Sequence, residues 1–140
     1  MWARLERGDR VAACMRAIVR NSLAPDLHNA GSNQSDCNFG YTAAVAEALL
    51  QSHAGEISLL PALPAGWTDG SITGLRARGG LEVGMQWRAG KLASAQLRGI
   101  ASGPCRVRSG EKTVTVSLQA ARTLNLNADL VGGDDAREQR

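Results

Sequence analysis

Apolar residues recur with a helical period along the first third of the chain and with a period of two along most of the rest. Val11, Cys14, Met15, Ile18 and Ser22 form one stripe, at i, i+3, i+4, i+7 and i+11, while Arg10, Arg16 and Arg20 lie off it. That spacing predicts an amphipathic helix with a single face to bury. Met1 to Arg7 reads as the last turns of an earlier helix, broken at Gly8, with Asp9 placed to cap the next one. Pro25, Asn29, Gly31, Ser32 and Asn33 then end the pattern as turn-formers. A further helix is expected over about Gly40 to His53, where Thr42, Val45, Ala46, Leu49, Leu50 and His53 trace one face. Ala43, Ala44 and Ala48 put small side chains on its other faces, so it should be crowded from more than one side. Two and a half helices cannot supply those neighbours, which predicts that the helical part belongs to something larger.

Gly55 reads as a left-handed helix cap, and Pro61 and Pro64 keep the run after Ile57 and Leu59 extended. Leu81, Val83, Met85 and Trp87 alternate with Glu82, Gly84, Gln86 and Arg88, as in a half-buried strand. Arg88-Ala89-Gly90-Lys91 turns this strand back into Leu92 to Leu97 as a hairpin. Cys105 to Val107, Val114 to Leu118 and Leu124 to Leu126 repeat the alternation. Short strands at this spacing predict an antiparallel sheet or small sandwich. The fold class is therefore α+β: two to three helices, then an antiparallel β-sandwich-like domain, with the boundary near Gly55. The polar, aperiodic stretch from Val131 to Arg140 is expected to be a disordered tail.

Composition narrows the functions. Sixteen basic residues against 13 acidic ones give a formal charge of +3, but the arginines are spread along the chain and only five residues are aromatic. No basic stretch has the interleaved aromatics that stack on bases, so no nucleic-acid partner is expected. Cys14, Cys37 and Cys105 stand far apart, and His28 and His53 lack i, i+4 neighbours. No metal site and no cofactor are indicated, and the cysteines are expected to be free thiols. No run of roughly 18 to 20 apolar residues is present for a membrane span, so no membrane partner is expected. The N-terminus carries no basic head and apolar run of the kind that directs export.

The candidate chemistry lies between the two helical segments. Ser35-Asp36-Cys37-Asn38 sets a hydroxyl, a carboxylate, a thiol and a carboxamide in a polar loop before a helix N-terminus. Asp36 reads either as a helix cap or Asx-turn residue or as a catalytic carboxylate. Asn38 reads first as a cap and second as a ligand contact, and Gln34 as a solvated loop residue or a pocket wall. Glu47 is either an exposed flank or a buried polar anchor. It lies eleven residues from Asp36, three helical turns away, too far to form an acid and base pair with it. Trp87 is in phase with a core face, and Trp67 is expected to plug the junction of the helical and β parts, although both rings suit sugar stacking too. A reactive role for Cys37 lacks a nearby histidine.

The run Asp36-Cys37-Asn38-Phe39-Gly40 is followed by Ala46 to His53, Leu59 to Pro64, Trp67 and Gly74 to Gly80. In that order and spacing, over roughly residues 1 to 110, the chain resembles the C-terminal region of glycoside hydrolase family 95, the inverting α-L-fucosidases. The resemblance implies that residues 1–54 are the last helices of an incomplete (α/α)6 catalytic barrel, residues 55–130 a C-terminal antiparallel β-domain, and residues 131–140 a tail. It implies Asp36 as general base and Gln34 and Asn38 as substrate contacts. The general acid, a Glu, and the asparagines that assist the base would come from the missing N-terminal barrel region, which is thereby an expected partner. The substrate implied is a fucosylated oligosaccharide, for a family usually exported or periplasmic. Gly31, Ser32 and Asn33 stand where the family has Pro-Pro-Phe, Ser35 where it has Ile, and Cys37 where it has Gly, with Gln34 kept. If the Cys37 position needs positive φ, its side chain costs about 1 kcal/mol or more. The chain is thus expected to be inactive alone. The alternative reading is a non-catalytic remnant or a carbohydrate- or partner-binding β-domain.

Overall fold

The computed structural model describes residues 1–21, 24 and 35–133. The turn expected over Pro25 to Asn33, Ser22, Gln34 and the tail from residue 134 lie outside the described residues. A short 3-10 helix, Trp2–Leu5, leads into α1 (Gly8–Asn21) and is followed in the chain by α2 (Ser35–Leu49). Among the described residues nine strands follow: β1 (Leu50–Gln51), β2 (Ile57–Leu59), β3 (Gly70–Ala77), β4 (Leu81–Arg88), β5 (Lys91–Gly99), β6 (Gly103–Ser109), β7 (Lys112–Leu118), β8 (Thr123–Asn127) and β9 (Gly132–Gly133). They form two sheets, one in the order β1-β2-β6-β7 and one in the order β3-β4-β5-β8-β9. Their inner faces meet in one core. Leu59, Val107 and Leu118 from the first sheet join Val83, Met85, Leu97 and Leu126 from the second. The α+β class and the β-sandwich-like domain are thus as expected.

Several local expectations need correction. The second helix begins at Ser35 and ends at Leu49, about five residues earlier than its apolar face suggests at each end. Its end is set by tertiary pairing: Leu50 and Gln51 leave the helix to pair with Leu59 and Ser58. The last helical carbonyls are satisfied from the returning chain, Ala48 by the Ala62 N–H at 3.1 Å and Leu49 by the Leu60 N–H at 2.8 Å. Gly55, with φ of 78°, therefore sits in the β1–β2 turn and not at a helix end. Asp9 lies inside the first turn of α1, held by Arg7 Nε and a terminal guanidinium nitrogen at 3.0 and 2.8 Å, instead of capping that helix. One pair is not antiparallel. β2 runs parallel to β6, with Ile57 opposite Val107.

β3 escaped the alternation because its phase slips. Ile72 faces Met85 and Leu75 faces Val83, leaving Thr73 and Gly74 together opposite Gly84. Gly74 takes φ of 78°, and this two-against-one bulge moves the inward positions from Gly70 and Ile72 to Leu75 and Ala77. Gly132 and Gly133, expected in the tail, pair with Leu126 and Asn125 and extend the second sheet.

The helices dock on this sandwich. On α1, Val11 and Met15 are buried as the stripe predicts, but Cys14 is exposed. α2 is flanked on two sides: Leu49 and Val45 pack toward the sandwich, while Ala44 and Ala48 pack against Ala3, Val11 and Met15. Trp67 touches both clusters, as expected of a plug at the junction. Trp87 is a core residue. Its indole N–H donates to the Trp67 carbonyl at 2.9 Å, and its ring lies where a Gly70 side chain would stand.

Candidate functional site

Of the residues singled out in the sequence, Asp36, Cys37 and Asn38 lie in the first turns of α2. Asp36 lies in the first turn of that helix and is exposed, and Asn38 and Cys37 follow inside the same helical run. The polar loop of the sequence reading is thus, from Ser35 on, helix. Cys37 accordingly has a right-handed backbone, which accepts a side chain without the strain that a positive φ would impose. Gln34 lies outside the described residues. Thr42 Oγ1 donates to the Phe39 carbonyl at 2.9 Å, and Phe39 is 69% exposed.

One turn after Asp36, Gly40 shares its face of the helix. Gly40 also lines a mainly apolar cavity of about 450 Å³ between the 3-10 helix, α1 and α2, together with Trp2, Cys14, Ile18, Tyr41 and Ala43. The small side chains of α2 thus front a hollow beside the candidate carboxylate. Glu47, at the far end of that hollow, is not a partner for Asp36. Eleven residues of helix separate them by roughly 16 Å, and both Glu47 carboxylate oxygens are taken by Arg4, at 3.0 and 3.2 Å. Glu47 is therefore a half-buried anchor for the 3-10 helix. Among the described residues no group of three or more His, Cys, Asp or Glu side chains is placed to hold a metal ion.

Two further residues tie the helical part to the strands, and the sequence reading gave neither a role. Gln51 is buried, and its Nε2 donates to the carbonyls of Ala3 at 2.7 Å and Glu47 at 3.0 Å, joining the 3-10 helix to the end of α2. A lone carboxamide closing the apolar run Ala48-Leu49-Leu50 was the available signal, since a buried amide has to find partners. Arg108 on β6 reaches Glu56 at 2.7 Å and Glu6 just after the 3-10 helix, and Arg106 adds a second contact to Glu56 at 3.5 Å. The hydrogen bonds that the Arg108 guanidinium donates to Glu6, and then to Glu56, raise it above its ordinary value. On the same strand, burial pushes the Cys105 thiol up, away from the reactive thiolate. Cys14 and Cys105 are both free.

Residues 51–131 match the family model described as glycoside hydrolase family 95, C-terminal domain. Relatives are similar over shorter or longer stretches. An alpha-L-fucosidase 2 of Arabidopsis thaliana is 55% identical over 60 residues, covering 42% of this chain and 7% of the relative. A probable alpha-fucosidase A of Aspergillus oryzae is 31% identical over 134 residues, covering 82% of this chain and 18% of the relative. The corresponding protein of Aspergillus niger is 31% identical over 101 residues, covering 61% and 13%. The chain spans less than a fifth of the length of each of these curated relatives.

Proposed function

Since the chain belongs to glycoside hydrolase family 95, through the C-terminal domain of that family, we propose that it works as the C-terminal portion of an α-L-fucosidase-like enzyme. Residues 1–54 would close an (α/α)6 barrel and residues 55–130 would buttress it. The reaction is inverting hydrolysis of a terminal α-L-fucosyl linkage. In such a reaction one carboxylic acid protonates the leaving oxygen while a carboxylate opposite, roughly 6.5 to 9.5 Å away, activates water. Asp36 is the carboxylate on the water side, and Asn38 and Gln34 contact the sugar. The acid comes from outside residues 1–140, so the isolated chain has no turnover.

The observation that carries this reading is the placement of Asp36. It is exposed at the start of a helix whose far end is bolted to the sandwich through Gln51, and it stands one turn from an apolar hollow lined by small residues. The hollow also accounts for Ala43, an exposed alanine on a helix otherwise packed on two sides.

The test is a chimera in which residues 1–140 replace the matching segment of an active α-fucosidase. Turnover of an aryl α-L-fucoside should be present in the chimera and drop about 10²- to 10⁴-fold on Asp36→Asn, the range for losing a general base. The 140-residue chain alone should be inactive. Hydrolysis by the isolated chain, or a chimera indifferent to Asp36→Asn, would overturn the assignment.

A further inference from the structure

The run Arg76-Ala77-Arg78-Gly79-Gly80 has no part in the catalytic reading above, yet its Arg78 and Gly79 line a second cavity. Gly79 and Gly80, with φ of 81° and 71°, form the turn between β3 and β4. A side chain at Gly80 would collide with Ile100, whose Cδ1 lies 2.4 Å from the position of the added Cβ. The glycine thus lets Ile100 fold over the turn, with the Ile100 N–H donating to the Gly80 carbonyl at 3.3 Å. The Arg78 N–H donates to Ser52 Oγ at 3.0 Å, and the Ala120 N–H to Ser102 Oγ at 2.9 Å. Four connections, β1–β2, β3–β4, β5–β6 and β7–β8, are tied together in this way around a cavity of about 340 Å³ at the end of the sandwich. That size is at the small end of ligand pockets, and a site built in advance loses little entropy on binding.

The lining is complementary to a polar ring that carries a negative group. Its floor is apolar, from the buried Ile57, Leu81 and Leu118. Its rim carries Ser52, Glu56, Arg78, Ser102 and Arg106. Glu56 is already engaged by Arg108 and Arg106. Arg78 pairs with no carboxylate among the described residues, while its neighbours Arg4 and Arg76 are matched to Glu47 and Glu82. The rim therefore has an uncommitted guanidinium and a positive balance, one carboxylate facing Arg78 and Arg106. Ser52 and Ser102 accept from backbone N–H groups, so their hydroxyl hydrogens remain to be donated to a ligand. Ser52 and Arg78 also line an adjoining hollow of about 180 Å³ with His53 and Arg76, which leaves room for a second ring.

We propose that this cavity binds an acidic sugar, its carboxylate or sulfate paired with Arg78 and its ring over Ile57, Leu81 and Leu118. A guanidinium fork matches a planar carboxylate or a sulfate edge, and the serines meet ring hydroxyls. That the ligand is a sugar rests on the glycosidase reading; that it carries an oxyanion rests on Arg78. The site would hold the chain on a charged polysaccharide beside the fucosyl linkage being cut.

Calorimetric titration of the 140-residue chain tests this with digalacturonate, a sulfated disaccharide, neutral galactobiose and inorganic phosphate at one ionic strength. One of the two acidic disaccharides should bind saturably, and which one does so identifies the anion. Galactobiose should bind about tenfold more weakly or worse, and Arg78→Gln should cost the acidic sugar a similar factor with an unchanged melting temperature. Arg78→Lys should recover part of the affinity. Equal affinity for the neutral and acidic sugars, no binding of either acidic sugar, or indifference to Arg78→Gln would overturn the proposal. Phosphate binding as tightly as the sugars would overturn the sugar assignment. Because binding is read on this chain and hydrolysis on the chimera, each reading can fail without the other.

Discussion

The sandwich and the helices are held together by different means. Both sheets contribute to one continuous core in which Leu59, Val83, Leu97, Val107 and Leu126 are at most 2% exposed. The 3-10 helix, α1 and α2 share a smaller cluster built on Ala3, Val11, Met15, Ala48 and Ala62, beside a cavity of about 450 Å³. The sandwich therefore has what it needs to fold by itself. The helices depend on a few attachments: Gln51 to Ala3, Arg108 to Glu6, Arg4 to Glu47, and the close approach of Gly8 to Leu63. Apolar area removed from water drives the first region, and directional contacts between surfaces position the second. A carboxylate carried on the second region is only as well placed as those attachments.

Breaking the sandwich should have the largest effect. Leu97→Ala removes a fully buried side chain from the central strand of the second sheet and should cost about 2 to 5 kcal/mol, read as a lower urea midpoint for the whole chain. Breaking an attachment should separate the two regions. At Gly8 an added Cβ would stand 2.4 Å from the Leu63 carbonyl oxygen, backbone that has no easy way to yield. Gly8→Ala should cost about 1 to 3 kcal/mol of docking. Hydrogen exchange should quicken across residues 1–49 while amides of β4 and β5 stay protected. Uniform quickening would mean that the regions are not separable.

A subtler cut is Gln51→Leu, which keeps the volume but removes the side-chain donor shared by the Ala3 and Glu47 carbonyls, Ala3 retaining only the Glu6 N–H, at about 1 kcal/mol. The same exchange experiment should show the change concentrated in the 3-10 helix and the end of α2, and in an active chimera the variant should raise KM or lower kcat without altering Asp36.

The smallest effect concerns pH. The Arg7 hydrogen bonds hold the Asp9 carboxyl at about 2, below the 3.8 of a free aspartate. A carboxyl depressed in the folded state contributes its stability above the unfolded value, and loses it as pH falls from about 4 toward 2. The pair is fully exposed, so Asp9→Asn should leave the melting temperature almost unchanged at neutral pH and slightly flatten its fall in that acidic window. A clear loss at pH 7 would give this surface pair a larger part in docking α1 than its exposure allows.

How much of this was legible follows from where each signal lies. β4 and β5 were readable because alternation in Leu81 to Trp87 and a turn at Ala89-Gly90 are local facts of the chain. β3 was hidden by its own bulge at Thr73 and Gly74, where one extra residue inverts the alternation. α2 was recognised as a helix but its ends were misplaced: the apolar pattern continues through Leu50, and only pairing with Leu59 draws that residue into a sheet. The candidate carboxylate was legible as a residue type at a helix start. Its isolation from Glu47 followed from the helical rise, but the capture of Glu47 by Arg4 spans 43 positions and left no local trace.

Periodicity and side-chain size in the sequence determined that helices precede strands, that α2 must be flanked on more than one side, and that Trp87 faces inward, because each depends on neighbours within a turn or a pleat. Tertiary structure alone decided that β2 runs parallel to β6, that Gln51 holds the 3-10 helix from 48 positions away, and that Arg78 and Ser102 face one cavity. Those arrangements join groups distant along the chain, whose meeting is set by how the sheets and helices fill space and satisfy their buried polar atoms.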